Sequence, residues 1–282
     1  MSRHPYVIAD VFTDTPLEGN GLAVFTDGTA FDEPTMQRLA RELNLSETVF
    51  ALPPRKGGDA WIRIFTPGSE LPFAGHPVLG SAFVLAGERD FVELETGLGT
   101  VPVALERAPD GAVVFGRMRQ PLPTLEPFEQ QAALLQALGL TSSRLPIEGY
   151  DNGPHNVYVA LEDEAAVAAL TPDQGALAAL GRYNVSCFAG AGASWKTRMF
   201  APSIGVGEDP ATGSAAGPLA LHLARHGAIE FGQEIVIAQG AEIGRPSKLH
   251  ARVEGSRERV ELVEVGGAAV IVARGEFTLS DG

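Results

Sequence analysis

Gly75-His76-Pro77 and Glu208-Asp209-Pro210-Ala211-Thr212-Gly213-Ser214-Ala215 stand at matching places in the two halves of the chain. Each interrupts a strand-like run and opens a helix-like run rich in small residues. A helix N-terminus offers backbone N–H groups without intrahelical partners and the positive end of a dipole. Two such termini are expected to converge on one anionic small molecule from opposite sides.

Residues 6–12 and 22–25 read as strands separated by the turn formers Gly19-Asn20-Gly21. Asp32-Glu33-Pro34 starts a helix in which Met36, Leu39, Ala40 and Leu43 recur at helical spacing, and Asn44 closes it. Strands are expected at 48–52 and 61–66, then a loop to Gly75, a helix over 77–86, and strands at 91–95, 100–105 and 112–116, the last two joined by an Asp110-Gly111 turn. The prolines of segment 120–127 remove backbone donors and restrict their neighbours, so it reads as a linker.

After a helix over 128–138 the same order returns: strand 156–161, helix 172–180, strands 184–188 and 196–200, a loop containing Asp209, and the helix opening near Gly213. Strands follow at 234–238, 248–253 and 260–263. The repetition lies in element order, which predicts two related modules, 1–120 and 128–267, with the functional loops at their interface. The chain near 268–282 completes one of them; pattern does not decide which, and the N-terminal module is open to it.

Composition narrows the partners. With 282 residues, 45% hydrophobic and 20% charged, the chain buries a substantial core. A formal charge of −14 opposes a broad grip on nucleic acid or an anionic membrane surface, leaving a small molecule as the expected partner. Cys187 is the only cysteine, which excludes an intrachain disulfide, a thiolate zinc cluster and two-thiol chemistry, and fits a reducing cytoplasm. Residues 1–5 lead into a strand without an apolar signal core, and no apolar run is long enough to span a bilayer.

Several residues carry chemistry. Glu47, flanked by apolar residues in Leu45-Ser46-Glu47-Thr48-Val49, suits a proton-shuttling base, or is an ordinary turn glutamate. His76 before Pro77 donates to a substrate oxygen or to nearby backbone. Asp209 fixes a ligand amine or hydroxyl or makes an Asx turn, and Ser214 binds a ligand carboxylate or caps its helix. Among the other histidines, His4, His155, His222, His226 and His250 form no recognisable ligand set; His222 and His226 have helical spacing, but Leu223 stands where a zinc-protease glutamate would follow. No metal is expected. Thr212-Gly213-Ser214-Ala215-Ala216 lacks the second glycine of a hydrolase elbow, and neither Gly190-Ala191-Gly192 nor Gly205-Val206-Gly207 fits a nucleotide loop.

Taken together, Asp10-Val11-Phe12, Gly19-Asn20-Gly21-Leu22-Ala23-Val24-Phe25, Leu45-Ser46-Glu47-Thr48, the run Glu70 to Pro77 and the run Gly207 to Ala215 resemble the PhzF-like phenazine biosynthesis family, in order and separation over most of the chain. The resemblance implies an α+β fold similar to diaminopimelate epimerase: two pseudo-symmetric modules, each a curved sheet or incomplete barrel around a central helix. It also implies a cofactor-independent isomerase that moves a proton along an allylic system of trans-2,3-dihydro-3-hydroxyanthranilate or an analogue, and a homodimer. Glu47 falls on the family's acid/base glutamate and His76, Asp209 and Ser214 on its other polar site residues. Gly75 and Gly213 fall on backbone positions near the ligand, and Asn20 and Thr212, within the matched stretches, go with substrate binding. Gly21 departs from the proline of many relatives, and Gly75 and Asp209-Pro210 stand where related racemases carry cysteines. An isomerase of another small amino or hydroxy acid and a non-catalytic binder with the same cleft remain the alternatives.

Overall fold

The computed structural model describes residues 1–279, and its contacts divide the chain into two compact units: residues 1–119 with the chain from 266 onward, and residues 120–265. The first unit contains β1 (Ser2–Val11), β2 (Asn20–Phe25), α1 (Glu33–Leu43), β3 (Glu47–Leu52), β4 (Ala60–Phe65), β5 (Glu70–Leu71), α2 (Gly75–Leu85), β6 (Phe91–Thr96), β7 (Gly99–Arg107) and β8 (Val113–Arg119). β1 pairs antiparallel with the final strand, Ala269–Leu279, and with β2. β2 and β3 are parallel, β3 and β4 antiparallel, β4 and β6 parallel, and β6, β7 and β8 antiparallel in turn.

This sheet curls around α2, which touches β1, β2, β3, β6, β7, β8 and the final strand. The helix is buried from Gly75 to Ala82, and its sequence is accordingly apolar on every side. Such close wrapping requires glycine at position 80, where a Cβ would lie 2.6 Å from Leu22 Cδ2 and 2.7 Å from Val11 Cγ2. α1 is amphipathic instead. Asp32 caps it by accepting from Thr35 N, Asn44 ends it in the left-handed conformation, and Met36, Leu39 and Ala40 pack into a cluster with Phe25, Phe50 and Phe65.

The second unit contains β9 (Thr124–Glu126), α3 (Gln131–Leu138), β10 (Gly149–Asp151), β11 (His155–Ala160), α4 (Glu164–Ala168), α5 (Gln174–Ala179), β12 (Asn184–Ala191), β13 (Ser194–Ala201), β14 (Val206–Asp209), α6 (Gly213–Arg225), β15 (Ile235–Gln239) and β16 (Ser247–Gly255). Its pairings repeat those of the first. β10 and β11 are antiparallel, β11 and β12 parallel, β12 and β13 antiparallel, β13 and β15 parallel, and β15 and β16 antiparallel. The short β5 lies against β4 as β14 lies against β13. α6, buried from Gly213 to Ala224, holds the place of α2, while the side chains of α3, α4 and α5 form a separate apolar cluster with Phe128, Val157, Val185, Cys187 and Phe200.

The register makes the correspondence residue by residue. Thr48 pairs with Phe65 and Val185 with Phe200, each one residue into a strand that begins with Glu47 and Asn184 respectively. The two central helices likewise begin Gly75-His76 and Gly213-Ser214.

Two expectations are corrected, and one left open is decided. Segment 120–127 is no linker: Gln120 N donates to Val263 O at 2.9 Å, and Thr124–Glu126, lying between Pro123 and Pro127, keeps its own N–H groups and pairs with β10. Asp209 stands at the end of β14 rather than in an irregular loop. The closing chain near 268–282, left open between modules with the N-terminal one allowed, joins the first unit by pairing with β1 as far as Leu279; residues 280–282 lie outside the described residues.

Candidate active site

In the first unit, Asn44 turns the chain out of α1, and Leu45-Ser46 brings Glu47 to the start of β3, opposite Leu22 of β2. His76 is the second residue of α2, only 4% exposed, and its Nε2 lies 3.3 Å from Glu47 Oε2 without the alignment of a hydrogen bond. Its other nitrogen, Nδ1, lies 3.4 Å from Asn20 Nδ2. An amide nitrogen only donates, so Nδ1 accepts and the ring proton sits on Nε2, the atom nearest the Glu47 carboxylate. Burial pushes the His76 pKa down to about 3. The imidazole is therefore a neutral N–H donor beside a carboxylate.

The turn leading into this site is set by the backbone. Gly19 has φ +66°, and a Cβ there would lie 2.4 Å from Val11 O. The Asp10 carboxylate accepts from Leu17 N at 2.7 Å and ties the same turn down, so that Asn20 enters β2 facing α2.

In the second unit, Asp209 and Thr212 are bound to each other: Thr212 Oγ1 donates to Asp209 Oδ2 at 2.6 Å. Gln239, at the end of β15, donates to Asp209 O at 2.8 Å and to Thr212 Oγ1 at 3.0 Å, and accepts from Thr212 N at 3.2 Å. Arg198 grips Glu208, the neighbour of Asp209, through two bonds of 2.9 and 2.7 Å, and donates also to the carbonyls at the end of α4. A bidentate pair with this little exposure fixes the strand that carries Asp209.

The beginnings of α2 and α6 share one feature. Neither has a side-chain cap, although Thr212 is a good capping residue in the right place; its hydroxyl goes to Asp209 instead. Ala215 N and Ala216 N return to Thr212 O, and Pro77 has no N–H, so the first amides of each helix are left as donors for a ligand.

The structure thus brings Asn20, Glu47, Gly75 and His76 together in one unit, and Asp209, Thr212, Gly213 and Ser214 together in the other. Gln239 was missed, as were Gln120, Asn152 and Tyr158, which donate to the carbonyls of Gly213, Ser214 and Ala215 at 2.8, 2.9 and 2.7 Å. None belongs to a motif, so only the fold reveals them. The reading of His222 and His226 is also corrected: Glu148 joins them, its Oε2 lying 3.4 Å from His222 Nδ1 and 2.9 Å from His226 Nε2. Tyr150 donates to the same oxygen at 2.9 Å, and these contacts hold Glu148 down to about 2. The group has the donors for an ion, at the far end of α6 from Ser214.

Cys187 lies in β12, fully buried, its thiol pushed up to about 12. No helix among the described residues is long and apolar enough to cross a membrane.

The family described as phenazine biosynthesis-like protein matches residues 9–275. A trans-2,3-dihydro-3-hydroxyanthranilate isomerase from Pseudomonas aeruginosa is 57% identical over 278 residues, covering 98% of this chain and 100% of the relative. The crystal structure of a phenazine biosynthesis protein of the PhzF family from Bacillus anthracis superposes with a TM-score of 0.87 at 24% identity, over 99% of this chain and 100% of that one. A hydroxyproline epimerase from Agrobacterium vitis shares the fold with a TM-score of 0.68 at 13% identity, over 99% and 93% of the two chains.

Proposed function

The chain belongs to the phenazine biosynthesis-like family, and from that premise we propose that it is a cofactor-independent isomerase of trans-2,3-dihydro-3-hydroxyanthranilate, with Glu47 as its acid and base. The observation that carries this reading is the pair of a half-buried Glu47 and a buried, neutral His76 3.3 Å apart, one at the start of a strand and the other at the start of a helix.

The chemistry follows from the two groups. The Glu47 carboxylate takes a proton from the sp3 ring carbon that bears the hydroxyl. The electron pair of that C–H bond moves into the ring, the conjugated double bonds shift, and the protonated Glu47 returns the proton to a carbon at the other end of the conjugated system. The resulting enol becomes a ketone by proton exchange at oxygen and carbon. Atoms and electrons balance, since nothing is added or lost. His76 Nε2–H donates to the oxygen on which charge develops, a donor already in place and costing no reorganisation. Asn20 holds its tautomer. Gly75 supplies a backbone N–H donor. Asp209, fixed by Thr212 and Gln239, takes the substrate amine, and the first turn of α6, with Gly213 and Ser214, takes its carboxylate.

The same reading makes the enzyme a cytoplasmic homodimer. A lone buried thiol supports the compartment, and the family resemblance supports the assembly, which sedimentation would read directly.

The test is turnover of trans-2,3-dihydro-3-hydroxyanthranilate in D2O by wild type and by Glu47→Gln. The glutamine keeps size and hydrogen bonding but cannot carry the proton, so kcat should fall by about 10³-fold while ligand binding persists. Equal turnover by the variant would remove Glu47 from its role. Binding without loss or exchange in the wild type would make the protein a binder or redirect the search to other small carboxylates.

A further inference from the structure

Helix α6 carries a proline in its interior, Pro218, four residues after Ser214. In a regular helix the carbonyl of Ser214 would accept from the N–H of residue 218. Proline has none, and its ring crowds that carbonyl. The carbonyl is nevertheless satisfied: Asn152, in the turn between β10 and β11, donates to it from Nδ2 at 2.9 Å. Asn152 Oδ1 accepts from Asn156 Nδ2 at 3.1 Å, and Asn156 Oδ1 accepts from Asn184 Nδ2 at 3.1 Å.

Asn152, Asn156 and Asn184 are 3%, 0% and 8% exposed, and the last two face each other across the parallel pairing of β11 with β12. Each amide gives through nitrogen and receives through oxygen, so the relay has one direction and ends on the Ser214 carbonyl. Buried amide chains polarise one another, and each link left unmade is costly. The peptide plane that carries the Ser214 carbonyl also carries the Ala215 N–H, which closes the first turn on Thr212 O at 3.0 Å. Whatever holds that plane sets the direction of the Gly213 and Ser214 amides just before it.

We propose that Asn152 is a positioning residue for the substrate-binding turn of α6, and that Pro218 is its counterpart. The proline removes the helix's own hold on the Ser214 carbonyl and passes it to the asparagine relay. The inference rests on the reading of Gly213 and Ser214 as the carboxylate-binding turn. In a helix without the proline, that turn would be oriented by the helix axis alone; here it is oriented by a side chain anchored in the sheet.

The experiment compares full-length wild type, Asn152→Ala, Pro218→Ala and the double variant. Three readouts are taken: KM and kcat for trans-2,3-dihydro-3-hydroxyanthranilate, amide hydrogen exchange in the peptide spanning 212–217, and the melting temperature. Asn152→Ala should raise KM roughly tenfold with a smaller change in kcat, and speed exchange in that peptide by a similar factor. Pro218→Ala should stay close to wild type. The double variant should recover most of both losses, because residue 218 then provides the N–H that Asn152 no longer does.

A double variant as impaired as Asn152→Ala would overturn the pairing. So would an Asn152→Ala protein that melts lower but keeps its KM and its exchange, since that is a merely structural role. Should Asn152→Ala not accumulate folded, Asn152→Ser, whose hydroxyl is too short to reach, carries the same comparison. The exchange measurement needs no substrate, so the two readings fail separately. A wild type without turnover but with the expected exchange pattern loses the function and keeps the pairing; Glu47-dependent turnover without rescue loses the pairing and keeps the function.

Discussion

The His76 imidazole is held neutral by burial, with a pKa near 3 where the free side chain has 6.5. A charged histidine would compete with the substrate for the carboxylate beside it and weaken it as a base, whereas a neutral one offers a proton donor at no such cost. The sign of the pH effect on stability follows. Between about pH 6.5 and pH 3 the unfolded chain binds a proton at this residue that the folded chain does not, so stability is intact above 6.5 and falls on acidification through that window. Glu148 adds to the loss at lower pH, because its folded pKa of about 2 lies below its ordinary 4.5. Urea unfolding across this range should show His76→Asn flattening the upper part of the decline and Glu148→Gln the lower part. Nitrogen NMR of labelled histidine should find the His76 ring singly protonated, on Nε2, at pH 5; a doubly protonated ring there would refute the assignment. The acid limb of the rate profile should accordingly not be governed by His76.

At the scale of elements, the two central helices lie so close to their surroundings that single methyl groups matter. At Gly217 of α6 a Cβ would lie 2.4 Å from both Gln120 Oε1 and Val263 Cγ1, much as one at Gly80 would strike Leu22 and Val11. Gly80→Ala and Gly217→Ala should each cost about 1–3 kcal/mol by overpacking, offset in small part by better helix propensity, and thermal melts would read it. Because Gln120 also holds the Gly213 carbonyl, Gly217→Ala should cost activity beyond its loss of stability; unchanged activity would show that the turn tolerates the shift. Helix starts were legible in the sequence because proline, glycine and small residues mark them locally, as at Gly75-His76-Pro77 and Gly213-Ser214. What the sequence hid is held by contacts across long separations. Gln239 reaches Thr212 over 27 residues and Asn152 reaches Ser214 over 62. Glu148 met His222 and His226 only once the chain was folded, and Thr124–Glu126 became a strand because its prolines flank it rather than interrupt it. The sequence offers Asp209 as a candidate site residue in a loop, since a four-residue strand that contains Gly207 and follows Gly205 leaves no periodicity to read.

For the whole chain, the repeated order of elements invites comparison with a two-base design, in which each half would supply one proton carrier. The register argues otherwise. The position that holds Glu47 in the first unit holds Asn184 in the second. An amide accepts no proton, and Asn184 is engaged as the first donor of the relay to Ser214. The one thiol of the chain, Cys187, is buried in the second unit's core and pushed up to about 12, far from the range of a working base. Under the proposed reading the duplicated frame is divided: the unit with Glu47 carries the proton, and the unit with Asn184 at the matching place holds polar groups. A single carrier leaves an isotopic trace. If Glu47 both removes and returns the proton, a single-turnover reaction of protiated substrate in D2O should yield product that keeps part of the original hydrogen at its new carbon, because return competes with exchange of the Glu47 proton with solvent. Two carriers would place solvent deuterium there from the earliest time point. Retained protium at the new carbon would thus exclude a second carrier, and its loss in Glu47→Asp, where the shorter arm slows return relative to exchange, would tie the transfer to this residue; retained protium that persists in Glu47→Asp and Glu47→Gln would remove Glu47 as the carrier.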